Sequence, residues 1–233
     1  MEIFDLEQTR RLADLAFVHS EQRDAEWQSR FLAAVPNASL ASFDPQIETG
    51  PDGFPYFQLA IPDPGPFTTF SLVHVLADVL KNGVGAVIHS SARRDQMPLW
   101  VFTHGDMLSY HMFQDFSGDP AIYKIAEPPP GKDADRKLLR AVPSEAYFPA
   151  SSRAAMGRFM RGPFRHPDPR IGLVDGASLQ PHRSLLVNLR ASNYGGDRKK
   201  LDSAMRYLTW FVPKTYSIMA LPDDWSDTEM SPI

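Results

Sequence analysis

The chain of 233 residues contains no cysteine. That excludes a disulfide framework, a thiolate nucleophile and any zinc site built on cysteine, and it suits a reducing compartment. Also missing is any apolar run of the ~18–20 residues that a membrane-spanning helix needs. The start, Met1-Glu2-Ile3-Phe4-Asp5, is acidic and lacks the basic and apolar regions of a secretory leader. The end, from Asp223-Asp224-Trp225 to Ile233, carries no lipidation or retention motif. The expected location is the cytoplasm, with no membrane partner. Familiar catalytic signatures are absent too. No Gly-x-Ser-x-Gly elbow occurs; Ile88-His89-Ser90-Ser91 comes nearest and lacks the glycines of a strained turn. A Gly-x-Gly in Asn82-Gly83-Val84-Gly85 follows a helical segment and precedes a strand, the reverse of the dinucleotide-binding order. Gly195-Gly196-Asp197 does precede a helix, but without a P-loop lysine, so Asp197 reads as its cap. No cofactor and no metal are expected.

What is present is an apolar fraction of 43%, too high for wholesale disorder. The length fits one large domain or two small ones. The net charge of −4 hides an uneven layout: residues 1–130 hold 8 Lys/Arg against 17 Asp/Glu, and residues 131–233 hold 16 against 11. The sign changes at residues 127–137, Glu-Pro-Pro-Pro-Gly-Lys-Asp-Ala-Asp-Arg-Lys, whose proline triplet and charges read as a linker. The expected organisation is a helical hairpin plus α+β subdomain over 1–126, this linker, a second α+β subdomain over 138–222, and an acidic tail over 223–233.

In the first subdomain two helices are expected within the first ~35 residues. Leu12, Leu15 and Ala16 share a face with Phe17 beside them. Ser20, Arg23 and Asp24 form the break and cap, Trp27, Phe31 and Ala34 follow at helical spacing, and Pro36 is the stop. Strand pieces around Ile47 and Tyr56–Ile61 pair through the turn Pro51-Asp52-Gly53, at a sheet edge where proline is tolerated. Leu72, Val75, Leu76, Val79 and Leu80 predict a helix closed by Asn82-Gly83. Val84–His89 and Leu99–Thr103 are strands too close in sequence for a crossover, so they pair antiparallel. His104-Gly105-Asp106 starts a short helix, and Ala121–Ala126 reads as a further strand.

The second subdomain reads as strand (Leu138–Val142), helix (Ser151–Met160), strand (Arg170–Val174), strand (Ser184–Leu189), helix (Leu201 to Val212, stopped by Pro213) and strand (Tyr216–Leu221). This β-α-β-β-α-β order is that of the ferredoxin-like split unit. The fold class is therefore α+β in two subdomains, with mixed or antiparallel sheets and helices on one face.

The helix through Arg153–Met160, the run Ser184-Leu185-Leu186-Val187-Asn188-Leu189, the long helix, Pro213 and the closing strand resemble the C-terminal domain of SseB-like (enhanced serine sensitivity) bacterial proteins. The resemblance covers residues 143–222 and rests on element order and apolar pattern. It implies a bacterial two-part α+β protein without established enzymatic chemistry, and it carries over no catalytic residues.

Three candidate sites remain. His104, Asp106 and His111 are the densest group of acid–base and metal-ligating types. Yet Asp106 and His111 stand about 140° apart on a helix, and His89 and His104 end antiparallel neighbours at opposite ends. The plain alternative is helix capping by Thr103 or Asp106. The second candidate is basic: residues 151–214 hold 12 Lys/Arg against 4 Asp/Glu. Arg158, Arg161 and Arg165 share one helical side if the helix continues, and Arg198, Lys199 and Lys200 open the long helix. Such a face meets phosphate, a protein partner, solvent or the acidic first half, with no RNP motif, GXXG loop or zinc knuckle to favour nucleic acid. Docking on the acidic half through the Arg158–Arg165 side is expected to loosen in salt. Third, Trp225 in the acidic tail is either an exposed anchor or folds back. The leading expectation is a non-enzymatic protein-interaction or regulatory module, with a protein partner or homo-oligomer. The alternatives are a hydrolase or metal-dependent enzyme using the His104/Asp106/His111 region, and a weak nucleic-acid binder using the basic half.

Overall fold

The computed structural model describes residues 5–62, 69–91, 97–116, 124–125, 139–176 and 183–233. They form two compact units, Met1–Met107 and Leu108–Ile233. The α+β class in two parts is as expected. The expected linker at 127–137 lies outside the described residues. No described helix is long and apolar enough to cross a membrane.

The first unit begins with α1 (Leu6–Ala16), whose Asp5 carboxylate accepts the Glu7 and Gln8 N–H groups (2.8 and 3.2 Å). Helix α2 (Ala25–Ala34) is capped by Asp24 on the Trp27 N–H (2.8 Å). Leu12 and Leu15 of α1 and Trp27, Phe31 and Ala34 of α2 are buried, and the Trp27 indole N–H donates to the Leu15 carbonyl (3.0 Å). Phe17 departs from expectation. It is the C-terminal cap of α1, a further 100° round from Ala16, and it is 89% exposed rather than part of the packed stripe.

Strands β1 (Leu40–Thr49) and β2 (Pro55–Ala60) pair antiparallel through the Pro51-Asp52-Gly53 turn, with Gly53 at φ 83°. Their place in the sheet corrects the edge reading. β3 (Thr69–Phe70) covers the other side of β1, and β2 is interior, parallel to β4 (Gly85–His89) beyond helix α3 (Leu72–Asn82). Proline is tolerated here for another reason: Pro55 is the first residue of its strand, and Pro45 sits where β1 slips register between Ser42 and Ile47. α3 buries the five residues that its periodicity marks, and Gly83 ends it in the left-handed conformation, φ 71°. Gly85 is required for a different reason, since a Cβ there would lie 2.4 Å from the Phe102 carbonyl oxygen. The Gly-x-Gly is thus a helix stop followed by a close strand approach. β5 (Trp100–Phe102) pairs antiparallel with β4, giving the sheet order β3-β1-β2-β4-β5. Helix α4 (His104–Phe113) follows, and the division between the units falls within it.

The second unit comprises β6 (Lys124–Ile125), β7 (Leu139–Ala141), α5 (Ala150–Arg161), β8 (Arg170–Asp175), β9 (Arg183–Val187), α6 (Arg198–Leu208), β10 (Ser217–Ala220) and β11 (Ser231–Pro232). From β7 to β10 the element order is the one expected. The pairing is not the split one. β9 and β10 are direct parallel neighbours around the α6 crossover, and β7 lies antiparallel against β8. A connection holding a full helix is long enough to return the chain beside the strand it left. β6 pairs parallel with β10, so the strand expected at Ala121–Ala126 belongs to this sheet. The sheet order is β11-β8-β9-β10-β6, with β7 also on β8.

Both faces of this sheet are covered. Ile171, Leu185, Val187 and Ile218 are buried on one. On the other, Val174, Leu186, Met219 and Leu221 cluster with Trp225 and Met230. The tail therefore folds back. The Arg190 guanidinium donates to the carbonyls of Pro222 (2.6 Å), Asp223 (3.0 Å) and Trp225 (2.8 Å). The Arg140 guanidinium lies 5.0 Å from the Trp225 ring centre. The segment finishes as β11 on β8, with the Ile233 N–H donating to Pro169 (3.0 Å).

Candidate functional site

Thr103, just after β5, and Asp106 close the start of α4 reciprocally. The Thr103 hydroxyl oxygen accepts the Asp106 N–H (3.0 Å), while the Asp106 carboxylate accepts the Thr103 N–H and hydroxyl (2.9 Å each). This is a capping box, and it turns a 3% exposed carboxylate toward the positive end of the helix. His104 is fully buried, its Nδ1–H donating to the Val84 carbonyl (3.3 Å). His111, by contrast, is exposed. Asp106 and His111 stand about 140° apart on α4. His89 ends β4 at the opposite end of the antiparallel pair from His104, as expected. There its Nε2–H donates to Gln58 Oε1 (2.9 Å), and its ring meets Phe43 edge-on at 5.0 Å. The structure does not bring His104, Asp106 and His111 together. Among the described residues, no group of three His, Asp or Glu is placed to hold a metal ion.

The basic candidates divide as well. Arg158 and Arg161 are exposed on α5, but the helix ends at Arg161. Arg165 lies beyond that end, at φ 51°, so the three arginines do not form one helical row. The extension fails at Gly162-Pro163, because proline cannot continue the ladder. Arg161 donates to the main-chain oxygen of Ile233. Gly157, one turn earlier, leaves room for that residue, since a Cβ there would lie 2.5 Å from the Ile233 carbonyl carbon. At the start of α6 Asp197 is the cap, as expected, accepting the Lys199 and Lys200 N–H groups (3.0 and 3.2 Å). Arg198, Lys199 and Lys200 are all exposed. The nearby Asp223 carboxyl is held below its ordinary range, first by the Ser192 hydroxyl and N–H, then by Arg190 and Arg198.

Between α5 and α6 lies a group that sequence reasoning missed. Phe159 meets Phe164 edge-on (5.1 Å, 77°), Phe164 meets Tyr207 likewise (6.3 Å, 66°), and Phe159 lies 6.4 Å from Tyr207. Phe159 also rests on buried Phe211 (5.3 Å). Tyr207 is 48% exposed, and Phe159 and Phe164 are half-buried. Arg158, Arg165 and Arg206, each next in sequence to one of these rings, are all exposed. On α6, Lys200, Ser203 and Tyr207 stand in one row at i, i+3 and i+7. Asp202 lies about 140° round from Tyr207, while the capping Asp197 pairs with Lys200 at the start of the row (3.8 Å). The available signal was Tyr207 itself, a large ring just off the Leu201–Ala204–Met205–Leu208 stripe.

A second aromatic group lies at the start of β10. Tyr147 stacks on Tyr216 (4.3 Å, 10°), with the Arg183 guanidinium 5.8 Å from the Tyr147 ring and ion-paired to Asp175 (2.6 Å). Burial, then the neighbouring Tyr147, raises the Tyr216 hydroxyl to a pKa of about 12. Comparisons of the chain with protein-family models, with curated proteins and with solved structures find no match.

Proposed function

We propose that the protein is a non-enzymatic interaction module that docks an acidic, apolar-anchored segment of a protein on the α5–α6 surface. The observation that carries this reading is the half-exposed trio of Phe159, Phe164 and Tyr207 among exposed cations. Aromatic side chains and arginine are the residue types that dominate protein interfaces. Phe164 meets both Phe159 and Tyr207 edge-on, and no RNP motif, GXXG loop or zinc knuckle accompanies the surrounding cations, so a protein is the favoured partner. The SseB-like resemblance of residues 143–222 points the same way, since it implies no catalytic chemistry. A cytoplasmic location belongs to the same reading.

The test is capture from cytosol with the wild-type chain and with a Tyr207→Ser/Arg165→Glu variant of unchanged circular dichroism. A protein retained by the first and lost by the second, and released by salt, is the expected result. Equal recovery by both overturns the surface assignment. Salt-sensitive binding of a mixed-sequence oligonucleotide, lost in the same variant, transfers the surface to nucleic acid.

A further inference from the structure

The first unit offers the chemistry that the α5–α6 surface fits. Phe17 is the most exposed large apolar side chain described, at 89%. It caps α1 and begins a short turn into α2, so its ring stands at a helix corner rather than on a packed face. Around it the sequence is acidic. Residues 14–26 contain Asp14, Glu21, Asp24 and Glu26, all exposed, against one cation, Arg23. Arg23 is turned inward, its Nε–H donating to the Val18 carbonyl (3.1 Å) and its guanidinium lying 5.1 Å from the Trp27 ring. Arg10 lies two turns back on α1 and Arg11 pairs with Glu7, so the acidic surplus belongs to the corner and not to the whole helix. An exposed phenylalanine in an acidic stretch of chain is the complement of half-exposed rings whose sequence neighbours are arginines. Exposing a phenylalanine this fully wins nothing for the fold, because burying its side chain is worth about 1.5–3 kcal/mol.

We infer that a second copy of this chain is the partner: Phe17 of one copy seats among Phe159, Phe164 and Tyr207 of another, with Asp14, Glu21 and Glu26 facing Arg158, Arg165 and Arg206. This rests on the reading of the α5–α6 surface as a docking surface. The two patches are different surfaces of one chain, so the contact is head-to-tail. Each copy bound leaves one knob and one patch unused, and association runs on to a closed ring or a longer array. Charge complementarity makes assembly sensitive to salt.

The experiment is sedimentation of the purified full chain from about 1 to 100 µM, a range that reveals micromolar association. The expected result is a mass that rises with concentration at low salt and falls back in about 0.5 M NaCl, where the screening length is only a few ångströms. Phe17→Glu removes the knob and Tyr207→Ser/Arg165→Glu removes the patch. Each variant alone is expected to be monomeric and folded, with a melting temperature within a few degrees of wild type. Mixed in equal amounts, they retain one intact knob and one intact patch between them, and they form a 1:1 dimer that grows no further. Wild type that stays monomeric throughout overturns the inference, and so do mixed variants that stay monomeric. If wild type is monomeric yet the patch variant still loses a captured protein, the docking surface stands and only the self-association falls. If the patch variant loses nothing in either experiment, both fall together.

Discussion

Two apolar surfaces of the second unit are finished in opposite ways. The sheet face of Val174, Leu186 and Met219 is sealed by the chain itself, through Trp225 and Met230. The α5–α6 surface of Phe159, Phe164 and Tyr207 is left half-open. Both have arginines at their margins, and the arginines explain the difference. Arg190 has three main-chain carbonyls to donate to, so its charge holds the tail in place. Arg165 makes no ion pair among the described residues and is exposed. A count of basic residues treats the two alike. Their hydrogen-bond partners separate a structural cation from one available to a ligand.

The largest expected effect that sharpens this contrast is Trp225→Ala, which opens a cavity over the sealed face and costs about 3–5 kcal/mol in urea unfolding. A cost below about 1 kcal/mol would make the tail a loose cover and erase the distinction. Next comes Arg190→Ala, which leaves three carbonyls without their donor and costs about 2 kcal/mol. The matching Arg165→Ala stays within about 0.5 kcal/mol of wild type, as exposed surface changes do. Equal losses at the two sites would break the comparison. A smaller effect is expected at high pH. Tyr216 has a folded pKa of about 12, above the ordinary tyrosine value of 10.0. Its contribution to stability is therefore complete below about pH 10 and is lost as pH rises toward 12. Melting temperatures should fall across that window in wild type, and Tyr216→Phe should fall less. Tyr207→Ser gives up ring contacts with Phe164 and Phe159 and is expected to cost only about 1 kcal/mol while removing docking.

Local order was legible wherever one side of an element is buried. The stripe of α3 and the strand order from β7 to β10 follow from periodicity, and the caps Asp24, Asp197 and Thr103–Asp106 follow from residue types that bond free N–H groups. Strand neighbours were not legible, because pairing depends on where a connection returns the chain. The β2–β4 and β9–β10 contacts are both set by helices whose sequences say nothing of the strand beside them. The His104, Asp106 and His111 group at α4 was visible as a cluster in sequence, and its side chains proved to be separately placed. Phe17 and Trp225 show the limit most plainly. Both are large rings near carboxylates. One is exposed and one buried, and only the carbonyls around Arg190 and the open sheet face beneath Trp225 decide between them.

The end-to-end seating of β7 and β11 along β8 has a further consequence. The outer hydrogen-bonding row of β8 is occupied at Leu173–Asp175 by one short strand and at Arg170–Ile171 by another. The strands that replace β8 at the rim are three and two residues long, and the second contains Pro232, which has no N–H to offer. A neighbouring chain therefore finds no continuous ladder to extend there. The same tail that covers the apolar face also guards this side of the sheet against fibril-like stacking, so its loss should be felt first as aggregation on heating.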